Sequence, residues 1–422
     1  MAVIVVAGGG IGGLAAAVAV AARGHRVTVL ERGADFTELG AGIQLGPNGF
    51  AALDRLGVGE AVRERAIRVD ALVLRDGTSG AELVRMPVAD AYRARFGNPY
   101  AVVHRVDLYR PLLAACRASD RIELRTSAAV VGYARRPGGV SALLADGGRV
   151  DGDALIGADG IRSAVRGQLV GDGAPRVSGH TIYRSVIPMA EVPARLRQDG
   201  VTLWAGPRWH LVHYAIAGGT QLNLAAIRDD GARRAVSGVP ADTAFVRSRF
   251  PRMAAGARAL LELGRDWRTW VLCDREPVAG WTDGPVALLG DAAHPMLQYA
   301  AQGACMALED AVVLGRHLDG AEGGDGGDGG GNRDGGGGGG NRNGEGGVPE
   351  RLAAYCAERR ARTARAQVVA RSLGEQLYHP VGDAARARDA MLSRLTVEDL
   401  HDKVSWLHGG LPEPRAAVAA GR

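Results

Sequence analysis

Residues 2–6 form a short β-branched run, followed by Gly8, Gly10 and Gly13 in GxGxxG spacing and an alanine-rich helical stretch over 14–22. A second strand pattern spans 26–30 and ends at Glu31, 18 residues beyond Gly13. Each position has a physical reason. The first glycine permits a tight turn, the second lets a pyrophosphate approach the backbone at a helix N-terminus, and the third allows close helix–sheet packing. The acidic residue can accept hydrogen bonds from ribose hydroxyls. A bare GxGxxG is a weak signal in a chain with 63 glycines, but strand, helix and Glu31 in register predict a dinucleotide-binding β-α-β unit and hence a parallel sheet.

The remaining texture sets limits on what else the chain can be. Of 422 residues, 46% are hydrophobic and 23% charged, near the soluble average. The net charge of +5 invites a nucleic-acid reading. That reading fails because the basic residues are almost all arginine, Lys403 being the sole lysine, and are interleaved with acids rather than clustered. Four widely spaced cysteines with no CxxC pair indicate neither a disulfide framework nor a metal site. The uncharged stretch 2–22 is broken by glycines and preceded by no basic segment, so we read a strand, turn and helix and expect no membrane span and a cytoplasmic protein.

Strand patterns follow at 71–75, 122–125, 140–144 and 154–156. From 175 to 273 successive strand-like runs at 181–188, 201–205, 210–216 and 221–227 predict an antiparallel sheet. The stretch 320–347 is more than half glycine and is expected to be a disordered insertion. Helical texture resumes from 349 to about 373, and a tail begins at 411.

Two later segments, ALIGADGIRSAVR at 154–166 and PVALLGDAAHPMLQYAAQGACMALEDAVVL at 285–314, carry a DG and a GD motif. Together with the glycine turn, in this order over about 300 residues, they resemble the single-component FAD-dependent aromatic hydroxylases typified by p-hydroxybenzoate hydroxylase. Taken alone, Asp159 is a turn residue, Asp291 a helix N-cap and Arg105 a surface arginine. The resemblance implies instead that Asp291 binds the ribitol chain of FAD and that the helix opening at Gly303 and Ala304 points at the flavin pyrimidine. It also places Asp159 in the DG motif, and Arg105 of HRVDL against the cofactor. Glu31 and Arg32 complete the expected cofactor set with Gly8, Gly10 and Gly13.

The fold class implied is α/β, α+β overall: a Rossmann-like FAD-binding domain (1–70, 100–174, 274–319) and a mainly antiparallel substrate domain (71–99, 175–273). C-terminal helices follow over 348–410. The finer resemblance, at HPMLQYAAQGACMALEDA with GEQLYHPVGDAARARDAM and WLHG, is to 3-hydroxybenzoate 6-hydroxylases, with salicylate hydroxylases next. It implies that His210 accepts the phenolic proton, Gln298 positions the substrate and Tyr214 binds it. A strand histidine is otherwise commonly structural, and alternation places His210, Val212 and Tyr214 on one face and His213 on the other. His294, directly after the GD motif, reads as loop support.

By the same resemblance NADH or NADPH reduces FAD, O2 adds to give a C4a-hydroperoxide, and 3-hydroxybenzoate becomes 2,5-dihydroxybenzoate. Only one dinucleotide fingerprint is present, so the nicotinamide is expected to bind elsewhere and transiently. Two alternatives stay open: another small aromatic acid such as salicylate as substrate, and a non-oxygenating flavin reductase or dehydrogenase on the same fold. A homodimer is expected by family analogy alone, and no arginine is singled out for the substrate carboxylate.

Overall fold

The computed structural model describes residues 1–37, 40–320 and 346–411. Most of the glycine-rich insertion and nearly all of the tail therefore lie outside the described residues.

The opening strand Val3–Ala7 sits inside a six-stranded sheet, flanked by Arg26–Leu30 and Ile122–Arg125 on one side. Ala154–Gly157, Val286–Leu288 and the short Thr282–Asp283 lie on the other. All neighbours pair in parallel except the last, which is antiparallel. Being covered on both faces, the central strand is apolar nearly throughout, and Ile4, Val5 and Val6 are fully buried. The helix Ile11–Ala21 packs against this sheet and against the helix Gly303–Leu318. Small side chains let the two helices approach, since Ala15, Ala16 and Ala17 are buried and a side chain at Gly315 would meet the Ala19 carbonyl.

The second large sheet has eight strands. Its order is Val239–Pro240, Arg268–Asp274, Arg176–Pro188, Gln221–Asp229, Trp209–Ile216, Val201–Gly206, Ala71–Asp76 and Glu82–Pro87. It is antiparallel apart from the pairing of Val201–Gly206 with Ala71–Asp76. That parallel pair is how the excursion at 71–87 joins strands more than a hundred residues later. One face packs on the helix Ala255–Leu263 around Trp204, Trp209 and Trp267; the other turns toward the six-stranded sheet and carries the cavity described below.

The helix predicted from 349 runs as Val348–Ser372 and then widens into a π-helical turn, Leu373–Tyr378. Helices Asp383–Leu392 and Val397–His408 follow. No helix among the described residues is long and apolar enough to cross a membrane.

Candidate active site

The glycine turn is built as its spacing requires. Gly8 takes φ +106°, and a side chain there would collide with the Ala158 carbonyl; one at Gly13 would collide with the Gly8 carbonyl. A side chain at Gly10 would meet nothing within 4 Å, because it faces an open cavity. Gly13→Ala is therefore expected to abolish FAD retention, whereas Gly10→Ala would intrude on the ligand side only; flavin absorbance after gel filtration distinguishes them.

Glu31 holds the turn from the next strand: its two oxygens accept from the Gly9 and Gly33 amides, each at 2.8 Å. Each oxygen keeps a second lone pair for a hydroxyl donor. Arg32 is exposed and outside the cavity lining. Asp159 also lies outside the lining. Its Oδ2 accepts from the Ala164 amide at 2.8 Å, its Oδ1 has no partner, and burial pushes its pKa up. It thus ties the DG loop to the first amides of the helix Ala164–Leu169.

The cavity, about 800 Å³, runs between the two large sheets. Of the sequence-predicted residues it brings together Gly10, Arg105, Asp291, Gly303 and Ala304 at one end and His210, Tyr214 and Gln298 at the other. Gly8, Gly13, Glu31, Arg32 and Asp159 stand behind the lining. Asp291 opens onto the cavity with no hydrogen bond to another described residue; removal from bulk water raises its pKa. The helices Ile11–Ala21 and Gly303–Leu318 both begin at the cavity without a side-chain N-cap. Two uncapped helix N-termini and one unpartnered carboxylate form a donor set that fits FAD: amides for the pyrophosphate and flavin pyrimidine, and an acceptor for ribitol hydroxyls.

A buried ionic network holds this end in place. Asp310 Oδ2 accepts from the Gly290 amide at 3.0 Å and contacts His294 Nε2 at 2.5 Å, while Arg359 Nε donates to Asp310 Oδ1 at 2.7 Å. Glu309 accepts from Arg359, Arg362 and Asn48, all at 2.7–2.8 Å. His294 is accordingly a support of the GD loop.

At the other end, strand alternation works as predicted: His210, Val212 and Tyr214 line the cavity, and His213 stacks near Trp204 on the opposite face. Burial pushes Tyr214 up to about 12, so it stays a phenol. Burial, reinforced by His379 and His180, holds His210 well below the ordinary histidine range, so the ring is neutral and one of its nitrogens carries a lone pair.

One residue that sequence reasoning missed is Arg184. Register places it directly beside Ala225, which is itself beside Val212, so its side chain shares the face of His210 and Tyr214. Its Nη2 donates to Gln298 Oε1 at 2.6 Å, and no carboxylate among the described residues pairs with it. Burial lowers its pKa. Its remaining contact is the face of Trp270, 5.7 Å from the guanidinium carbon, so an amide and a ring are its partners and neither neutralises the charge; a half-buried cation so placed gains from an anion in the cavity.

A family model described as FAD binding domain matches residues 1–330. The chain belongs to this FAD-binding family, and within it to the FAD-dependent aromatic hydroxylases. It is 43% identical over 410 residues to 3-hydroxybenzoate 6-hydroxylase 1 of Aquipseudomonas alcaligenes, covering 96% of this chain and 97% of that protein. It is 40% identical over 406 residues to 3-hydroxybenzoate 6-hydroxylase of Polaromonas naphthalenivorans, covering 96% and 95%. Among solved structures it is similar to Klebsiella pneumoniae HpxO complexed with FAD and uric acid, with TM-score 0.79, 25% identity and 96% and 97% coverage.

Proposed function

We propose that the chain hydroxylates 3-hydroxybenzoate para to its hydroxyl, giving 2,5-dihydroxybenzoate at the expense of NAD(P)H and O2. The observation that carries this reading is the convergence of His210, Tyr214, Gln298 and Arg184 on the part of the cavity next to the FAD cradle. Bound FAD would supply hydride acceptance and oxygen activation. The 3-hydroxybenzoate 6-hydroxylase names of the relatives support the same substrate.

On this reading 71–99 and 175–273, which supply the eight-stranded sheet, form the substrate domain, and 1–70, 100–174 and 274–319 hold FAD. Gly8, Gly10 and Gly13 admit the pyrophosphate, Glu31 and Arg32 serve the ribose side, Asp159 and Arg105 frame the cofactor, and Asp291 takes the ribitol. His210 accepts the phenolic proton, making the ring carbon para to oxygen electron-rich enough to attack the activated oxygen. Gln298 must present its oxygen to Arg184, which can only donate, and so keeps its amide N–H groups for the substrate. Tyr214 closes the pocket beside it. Apolar walls, including Leu72, Leu74, Leu203 and Val212, keep water from the reacting atoms.

Arg184 neutralises the substrate carboxylate. Arg184→Met is expected to raise KM for 3-hydroxybenzoate by about 30-fold or more, the loss of a buried charge pair, and to erase the preference over neutral 3-hydroxybenzamide. An unchanged KM would remove Arg184 from substrate recognition.

The test of the function is product identification after aerobic incubation of the FAD-loaded protein with NADH and 3-hydroxybenzoate, with salicylate in parallel. Near-stoichiometric 2,5-dihydroxybenzoate supports the assignment. NADH loss yielding only hydrogen peroxide, or turnover of salicylate alone, rejects the substrate.

A further inference from the structure

A second cavity of about 690 Å³ lies on the outer side of the substrate pocket, lined by Arg208, Asp229, Glu375, His379 and Arg388 among others. Gln376 and Met391 line both cavities, so only a thin wall divides them. That wall is crossed by two imidazoles. His210, in the inner lining, places Nδ1 2.7 Å from Nε2 of His379, in the outer lining. The π-helical turn Leu373–Tyr378 is what swings His379 inward, where its ring packs at 4.8 Å from that of His210.

We propose that His379 relays the phenolic proton from His210, across this wall, to water in the outer cavity. The inference rests on His210 being the acceptor of that proton. His210 Nδ1–H donates to His379 Nε2, which leaves His210 Nε2, without a partner among the described residues, as the lone pair facing substrate. When the phenol O–H breaks and His210 Nε2–H forms, the Nδ1 proton passes to His379 Nε2. The proton on His379 Nδ1, the ring nitrogen turned away from His210 and without a partner among the described residues, then leaves for a water admitted from the outer cavity that His379 lines. Charge balances at each step: the phenolate remains, both imidazoles return neutral, and one hydronium departs.

The surroundings explain why the proton must move on. Among the described residues no carboxylate pairs with His210, whose hydrogen bond is to His379, so a protonated His210 would be an uncompensated buried cation. The groups facing His379 are His210 on the strand Trp209–Ile216, His180 on Arg176–Pro188, Tyr299 after the GD loop, its neighbour Tyr378, and Asp229, Arg208 and Glu375 at the outer cavity. Burial, with His180, pushes His379 down to about 3, so it discharges a proton readily. Asp229, at the outer cavity, opposes that shift and so favours the proton on the side of the wall away from His210.

The test follows formation of bound 3-hydroxybenzoate phenolate by its ultraviolet difference band in anaerobic stopped flow, with FAD-loaded wild type, His379→Ala and His379→Gln. Both variants are expected to form phenolate at least about tenfold more slowly, the loss of one proton-transfer partner, with substrate affinity little changed. Added imidazole, entering the space vacated in the outer wall, restores the rate of His379→Ala and not of His379→Gln. Wild-type rates in either variant, or a slow His379→Ala that imidazole leaves slow, overturn the relay. Should His379→Ala lose FAD, His379→Gln, which keeps the volume, decides by its rate alone. Absence of phenolate in the wild type overturns the reading of His210 together with the relay, whereas phenolate lost in His210→Ala and unaltered in the His379 variants overturns the relay alone.

Discussion

Replacing His210 by alanine is expected to lower the rate of 2,5-dihydroxybenzoate formation by about 10²- to 10⁴-fold, the range for removing a positioned general base. FAD content should be unchanged, because the glycine turn, Asp291 and the helix at Gly303 lie at the other end of the cavity. The substitution leaves His379 Nε2 without its partner, at a cost of about 1–3 kcal/mol in stability. Turnover is therefore measured well below the unfolding midpoint and normalised to bound flavin. Raising the pH separates the chemistry from the packing: as bulk solution ionises the phenol, the variant should regain rate, while wild type gains little. Turnover equal to wild type at neutral pH would take His210 out of the mechanism.

The half of the site that binds FAD was legible because its demands are local. Gly8 must take a positive φ, Gly13 must have no side chain, and a strand must precede and a helix follow; all of this lies within about 30 residues. His210 and Tyr214 were legible for a similar reason, since period-2 alternation along a single strand places both on one face. Arg184 was not. Its role depends on register across three strands, from Arg184 to Ala225 to Val212, and on Gln298 from a distant loop. In the sequence it is one arginine among dozens. His379 was visible only inside a resembling segment, because its contact with His210 spans 169 positions and depends on a π-helical turn that no periodicity announces. The parallel pairing of 201–206 with 71–76 was hidden likewise; alternation predicts strands and says nothing of which strand lies beside which.

The helix Val348–Ser372 shows the same limit, and it carries the second large expected effect. Its sequence is rich in arginine, and nothing separates Arg359 from Arg360 or Arg365 until the chain is folded. Arg359 is then 1% exposed, bonded to Asp310 and Glu309, and so tied through Asp310 to the Gly290 amide and His294. Arg359→Met removes the cation shared by two buried carboxylates and leaves Glu309 with Arg362 and Asp310 with His294. The expected loss is about 3–5 kcal/mol, that of breaking a buried pair from one side. Arg359→Lys should recover only part of it, since an ammonium cannot reproduce the fork.

Acid sensitivity gives the sign. Although burial alone would raise Asp310, His294 and Arg359 hold it at about 2, below its ordinary 3.8. Its contribution to stability is therefore complete above about pH 4 and lost as pH falls toward 2. Without Arg359 the folded-state pKa rises, and acid unfolding of the variant should begin at a higher pH than in wild type. Because Asp310 also anchors Gly290, beside Asp291, flavin release should accompany the transition. A variant that keeps wild-type thermal midpoint, acid limit and FAD would show that the network contributes nothing to the GD loop.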